Sequence, residues 1–481
     1  MKKLFFIQYV AVAVLLTSCN LDLDPQDKLA DTNYFNNRTE LEAFTNGFYG
    51  NFPAAATLYG ESADIIIPTT LTMEVLGTRT VPESGGGWSW SALADINTFL
   101  QSSNRCTDEA ARKEYQGLAR FFRAYFYFDK VKRFGEVPWF DAPLSSTDDR
   151  LYEPRTSRDE LMAKILDDLN YAINNLPTAQ NTYRVTKWTA LALKSRVFLY
   201  EGTYRKYHGI AGFGTYLTEA ANAAEDFIDN SPYTIYATGA QPYRDLFAAD
   251  NAKSAEVILA RNYNLGLNIV HSANQYFFSA GTSPGMNKKI VDSYLMNDGT
   301  RFTDQPGYQT KQFYDEMQNR DPRLSQTIVT PGYKRIGGAT VLSPDFSSAT
   351  TGYQITKWVT SAASDGYNKS SNDMILFRAG EVYLNFAEAK AELGTLTQGD
   401  LDKSVKKLRD RVGMPNMNLA AANANPDPYL AAAETGYPNV TGSNKGIILE
   451  IRRERTVELF DEGFRYDDLM RWKEGKAFEK Q

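Results

Sequence analysis

Along most of this chain apolar residues return every three or four positions, the period of a helix with one buried face. In residues 39–49 they are Leu41, Phe44, Phe48 and Tyr49. The same spacing predicts helices over 91–102, 108–134, 158–176, 188–202 and 217–230. The centre of 108–134, from Leu118 to Phe128, is apolar on nearly every face, so that helix belongs inside a core. Gly135 and Pro138 close it. Ser157 and Glu160 have capping-box spacing ahead of 158–176. From 231 to 372 the helical period gives way to turns, short alternating runs and Gly/Pro breaks, which predicts loops, a few short strands and some helix. Helical spacing returns over 373–393, 399–412, 445–460 and 466–472.

Small residues such as Ala190, Ala192 and Ser195 let neighbouring helices approach closely, as in tetratricopeptide pairs, although no strict 34-residue period is visible. The longest interruption is 52–89. Pro53, Pro68 and Pro82 punctuate it, and Gly85-Gly86-Gly87 leads into Trp88. An irregular loop of that length inside a domain is uncommon and usually functional.

The amino terminus follows another pattern. Lys2 and Lys3 precede an apolar run from Leu4 to Leu16, broken only by Gln8 and Tyr9, which closes on Leu16-Thr17-Ser18-Cys19. A basic start, a short apolar stretch and a small-residue exit make a secretory signal peptide, too short to span a bilayer. Its ending is a bacterial lipobox, in which the Cys19 sulfur takes diacylglycerol. Each buried methylene of the acyl chains, palmitate for instance, contributes about 0.8 kcal/mol. The alternative is a secreted protein with a chance cysteine. The expected organisation is a signal peptide over 1–18, an acidic tether over 19–30, and helical regions over 31–230 and 231–481 packed as one unit.

Composition narrows the function. The formal net charge is −6, or −8 without Lys2 and Lys3, the isoelectric point is near 5.3, and no block of Lys or Arg occurs. Nucleic acid and polybasic lipid adhesion are therefore not expected, and the lipid is the only expected membrane attachment. The second cysteine, Cys106, leaves Cys19 no internal disulfide partner once Cys19 is lipidated, and reads as a small apolar residue. The two histidines, His208 and His271, form no metal-ligand pattern and read as surface or loop residues. No cofactor or metal is expected. Aromatic residues are abundant, with 29 Tyr, 27 Phe and 6 Trp.

Five segments in order resemble the SusD/RagB family of outer-membrane nutrient-binding lipoproteins. They are Arg120 to Phe128 with Arg133-Phe134-Gly135-Glu136-Val137-Pro138, then Lys187 to Arg196, then Arg320-Asp321-Pro322-Arg323-Leu324, then Arg378 to Ala389, and last Glu450 to Leu459 running on to Arg471-Trp472. The resemblance implies a mainly α, superhelical fold with degenerate tetratricopeptide-like helix pairs, long loops and a few short strands. It also implies glycan capture at the outer-membrane surface in partnership with a SusC-like TonB-dependent transporter.

Two constellations carry candidate chemistry. Glu450, Glu454 and Glu458 share a helix face, where like charges repel. Partners are expected among Arg452, Arg453 and Arg455, with arginines such as Arg123 and Arg196. A glycosidase also needs two carboxylates, yet arginine surroundings hold carboxyl pKa values low and leave no proton donor. Trp88 and Trp90 instead end a long loop, where rings can meet the flat C–H face of a sugar. Tyr59, Glu61, Asp64, Arg79 and Asn97 are polar-capable neighbours in sequence. The family's glycan site implies a second loop region in the middle of the chain, for which Tyr276, Phe277 and Phe278 are the candidates. Trp90 also opens a helix and can anchor a core. The favoured reading is non-catalytic glycan capture; a lipid-anchored glycoside hydrolase and a ligand-free envelope scaffold are the alternatives.

Overall fold

A computed structural model describes residues 34–60, 63–279, 283–347 and 349–480. The signal peptide, Cys19 and the tether lie outside the described residues, as does Glu61. The helices follow the apolar spacing closely: α1 (Arg38–Thr45), α2 (Ser91–Ser102), α3 (Glu109–Phe134), α4 (Arg158–Asn175), α5 (Lys187–His208) and α6 (Phe213–Asn230). Several of their starts are fixed by side chains that satisfy orphan amides. Asp108 accepts from the Ala111 amide at 3.0 Å, and Ser157 from the Glu160 amide at 3.3 Å. Helix α3 packs on α4, and α5 on α6, as successive pairs. The second pair is close because Gly202 has no side chain: a Cβ there would meet the Leu217 amide nitrogen at 2.9 Å. Helix α5 runs six residues past the predicted 202, because Tyr204 and Tyr207 keep packing and Gly209, at φ 71°, supplies the stop.

Two helices from the far end of the chain, α7 (Ala379–Leu393) and α8 (Lys445–Glu458), complete the stack; α7 lies against α5, α6 and α8. The architecture is mainly α, with stacked helix pairs, long loops and four short strands among the described residues. Strand β1 (Ile66–Ile67) pairs antiparallel with β3 (Gly285–Met286), and β2 (Val257–Arg261) with β4 (Met374–Arg378).

Strand β4 corrects the expectation of helix from 373. Met374-Ile375-Leu376-Phe377 is a continuous apolar run buried on both faces, which the helical period does not distinguish from a core helix. The predicted helix 399–412 is two short ones, Gln398–Lys403 and Val405–Asp410, broken at Ser404. The 52–89 loop contains short helices at Ala55–Tyr59 and Met73–Leu76 as well as β1. Cys106 is fully buried. His271 is also buried, against expectation; its Nε2 lies 2.9 Å from the Asn372 carbonyl, and burial lowers its pKa to about 4, so it is neutral at pH 7.

The core around α8 is charged. Glu454 receives Arg323 at 2.5 Å and Arg409 at 2.8 Å. Glu458 receives Arg323 at 3.1 Å, Arg378 at 2.8 Å and Arg411. All of these side chains are buried. Arg378 continues to Glu256 at 2.9 Å and Glu462 at 2.7 Å. Ion pairing is as expected, but the partners are not those of the same helix. Arg452 lies over the Trp472 ring at 4.3 Å, Arg455 pairs with Asp468 at 2.7 Å, and Arg123 and Arg196 go to Asp168 and Glu381. Only Arg453 pairs on its own helix, with Glu450 at 2.9 Å. Burial works to raise the Glu458 carboxyl, yet Arg411, Arg378 and Arg323 outweigh it and hold it well below the usual range. Glu454 is held down against burial by Arg323 and Arg409. Glu450 departs from the expected low value. Burial there outweighs Arg409 and Arg301 and lifts its pKa to about 7.

These directions set a pH dependence. Depressed carboxyls stabilise the folded state above their unfolded pKa values, near 4–4.5, and that stability is lost as pH falls through the folded values. Glu450, raised, acts in the opposite sense between about 4.5 and 7. Urea unfolding at neutral pH should therefore show Glu458→Gln destabilised by about 3–5 kcal/mol, because three arginines keep their burial and lose a partner. The wild type should lose stability steeply below about pH 4, and the variant less so. A variant as stable as wild type at pH 7 would count against the network as a structural element.

Candidate functional site

The loop before α2 reaches the surface through three glycines with positive φ, Gly85 at 73°, Gly86 at 58° and Gly87 at 86°. L-residues rarely adopt that conformation. The turn closes with the Trp88 amide donating to the Gly85 carbonyl at 2.9 Å, and the Lys130 ammonium donates to the Gly87 carbonyl at 2.5 Å. Trp88 is 41% exposed. Its ring stands edge-on to Phe134, 4.9 Å between centroids, and to Trp90 at 5.2 Å. Trp90 precedes α2 and is half-buried against Phe126 at 5.6 Å, Tyr127 at 6.3 Å and Phe140 at 5.5 Å. It is both a groove wall and a core anchor.

Between these rings lies a groove of about 360 Å³, walled by Trp88, Trp90, Leu93, Pro138, Phe140 and Leu151, with Ser91 and Asn97 as polar members. Asn97 is buried. Its Nδ2 donates to the Phe140 carbonyl at 2.9 Å and to that of Ala142 at 3.4 Å, while Oδ1 has no protein partner. Its amide group therefore holds the 140–142 wall in place instead of reaching outward. A larger cavity of about 930 Å³ lies elsewhere, lined by charged side chains. Several of those are already committed: Lys206 to Glu392, and Arg465 and Lys289 to Asp64. The smaller groove has the aromatic faces.

Arg79 does not enter the groove. Its guanidinium donates to the Tyr466 hydroxyl at 2.8 Å, and the adjacent Asp467 pairs with Lys132 at 2.6 Å, two residues before Phe134. That chain of contacts ties Arg79 toward the end of α3, outside the groove lining. Asp64 is buried, held by Arg465 at 2.6 Å and Lys289 at 2.9 Å.

The second expected region forms a separate cluster. Tyr59 meets Tyr276 at 5.5 Å and Phe277 at 5.9 Å. Phe277 is fully buried and Tyr59 nearly so, which corrects their expected part as ligand faces: neither has a free ring surface. Tyr276 is half-buried, and Phe278 lies under the Arg335 guanidinium at 4.3 Å. Among the described residues no ring contact joins this cluster to Trp88. The sequence reading missed Phe134, Phe140 and Leu151, although the aromatic residues flanking Pro138 at the exit of α3 were a usable signal. Among the described residues no three His, Cys, Asp or Glu side chains come together as a metal-ligand set, and no helix is long and apolar enough to cross a membrane.

Residues 246–481 match the family model of the SusD family, and 89–199 match one described as starch-binding associating with outer membrane. The chain belongs to the SusD/RagB family. It is 24% identical to SusD-like protein P38 of Formosa agariphila, over 97% of this chain and 90% of that one. The fold is that of a SusD-like carbohydrate binding protein from Bacteroides fragilis, with a TM-score of 0.73, 20% identity, and 92% and 88% of the two chains covered. It is also similar to a protein solved with a xylogluco-oligosaccharide, with a TM-score of 0.59, 20% identity, and 92% and 82% covered.

The two tryptophans should separate in stability. Trp88→Ala should lower the melting temperature less than Trp90→Ala, since Trp88 keeps 41% of its surface exposed. Trp90→Ala should cost roughly 2–3 kcal/mol, somewhat below a fully buried ring. Thermal denaturation followed by circular dichroism reads both; equal losses would place Trp88 in the core.

Proposed function

We propose that this protein captures glycans without chemical change at the outer-membrane surface, anchored by lipid on Cys19, and hands them to a SusC-like TonB-dependent transporter. The groove beside Trp88 carries the reading: an exposed indole at the mouth of a mostly apolar slot, with a few polar groups, is how proteins hold a sugar. The carbohydrate-binding and oligosaccharide-bound relatives of the same fold support it. The partner and the anchor rest on family membership and on the lipobox.

Magnitudes favour capture and release. Stacking at about 1 kcal/mol per ring and a few hydrogen bonds at about 1 kcal/mol each total about 4–6 kcal/mol. That corresponds to dissociation constants from about millimolar to tens of micromolar, suited to a protein that must let its cargo go. Hydrolysis needs a protonated and an ionised carboxyl flanking the glycosidic bond. The residues walling the groove include no carboxylate or imidazole, and Glu454 and Glu458 are sealed among arginines.

Trp88→Ala should weaken glycan binding by about 1–2 kcal/mol, the loss typical of an aromatic hot spot, read by calorimetry against a broad glycan panel. Incubation of the full chain with mixed polysaccharides should release no new reducing ends; sustained turnover abolished by Glu454→Gln would overturn the capture reading. Gentle detergent extraction of native membranes should co-purify a larger β-barrel. Recovery of this chain alone would count against the handover.

A further inference from the structure

Three basic side chains converge on the Gly87–Trp88 step. The Lys130 ammonium is 2.5 Å from the Gly87 carbonyl, and that residue is only 5% exposed. Arg133 lies alongside: a Cβ at Gly87 would sit 2.8 Å from its Nε. Arg155 lies over the Trp88 ring, 5.6 Å from the centroid, oriented by bonds from its Nη1 to the Phe134 carbonyl at 3.3 Å and the Glu136 carbonyl at 3.0 Å. Asp129, Glu136 and Glu153 are sequence neighbours, yet among the described residues none of the three cations is in a salt bridge. Other buried cations in this chain are treated differently: Lys357 has Glu462 at 2.7 Å, and Arg465 has Asp64 at 2.6 Å.

A desolvated ammonium held by no ion pair is costly, and burial, with Arg133 beside it, lowers the Lys130 pKa against the opposing charge of Asp129. In a chain of net charge −6, a local excess of positive charge at an exposed ring attracts anions selectively. The Arg155 guanidinium, fixed through Nη1 by two backbone carbonyls and with Nε and Nη2 unused, suits the planar or tetrahedral oxygens of a carboxylate or sulfate, and Arg133 beside Gly87 adds a second fork.

We propose that the sugar seated on Trp88 is acidic, its uronate carboxylate or sulfate ester held by Arg133 and Arg155, with Lys130 adding to the local potential. This rests on the reading of the groove as the glycan site. Neutral sugars keep the stacking contact and lose the charged one.

The test pairs each charged probe with its neutral counterpart, using the full chain in non-ionic detergent. One pair is tetragalacturonate and its methyl ester; the other is a sulfated galactan tetrasaccharide and its desulfated form. At least one charged form should bind about tenfold tighter than its partner, as a charge-assisted hydrogen bond implies, and that advantage should shrink at high salt. Which pair responds tells uronate from sulfate. Arg133→Gln with Arg155→Gln should remove the advantage while the melting temperature and the neutral-form affinity hold. If neutral forms bind, weaken on Trp88→Ala, and equal or exceed both charged forms, the acidic assignment is overturned and the groove reading stands. If the charged preference persists but ignores Trp88→Ala, the groove reading fails instead. Absence of binding by both charged forms overturns the proposal.

Discussion

The fold depends on burying carboxylates that only arginines from distant segments can neutralise. Glu454 and Glu458 are one turn apart on α8 and buried away from bulk solvent. Arg323, Arg378, Arg409 and Arg411 reach them from three other segments. Each ion carries a desolvation cost of several kcal/mol that its partners offset only in good geometry. A misassembled helix stack therefore strands charges in the core, and the network acts against such alternatives. Asp321 adds to this by capping its own short helix and gripping Arg323 at 2.7 Å. The Arg-Asp-Pro-Arg-Leu segment is a buried clamp on α8.

The chain that leaves α8 carries this order toward the groove. Glu462 takes Arg378 and Lys357, Arg465 takes Asp64 from the long loop, Tyr466 receives Arg79, and Asp467 takes Lys132 near the end of α3. Within about one helical turn of Lys132 are Lys130, which holds Gly87, and Phe134, against which Trp88 stands. The loop that presents Trp88 is thus tied at several points to rigid elements. Loops so held are where binding residues are commonly placed.

Most helices were legible because an amphipathic face writes its period into the sequence, and caps such as Asp108 and Ser157 mark where it begins. Strand β4 was not legible, since Met374 to Phe377 are buried on every side and carry no period. Its register is set by Val257–Arg261, more than a hundred residues away. The groove was half legible. The glycine run announced an exposed Trp88, whereas the burial of Phe277 depends on how 271–278 folds against Tyr59. The partners of Glu454 and Glu458 were hidden for the same reason: local charge spacing states that a partner is required and not which segment brings it.

The division between charged core and aromatic surface bears on the proposed capture role. The arginines that stabilise α8 also remove its carboxyls from proton chemistry, by depressing Glu454 and Glu458 and by sealing them from solvent. Glu450, lifted to about 7, has the pKa of a general acid but is buried against Arg453, and it is absent from the groove. The groove beside Trp88 is lined by rings, a serine and an asparagine, with cations nearby, groups suited to the proposed recognition of shape and charge. On the proposed reading affinity comes from a few contacts on one open side, so dissociation needs no rearrangement of the core. A site built this way gives selectivity through what surrounds Trp88 and speed through how little must be undone on release.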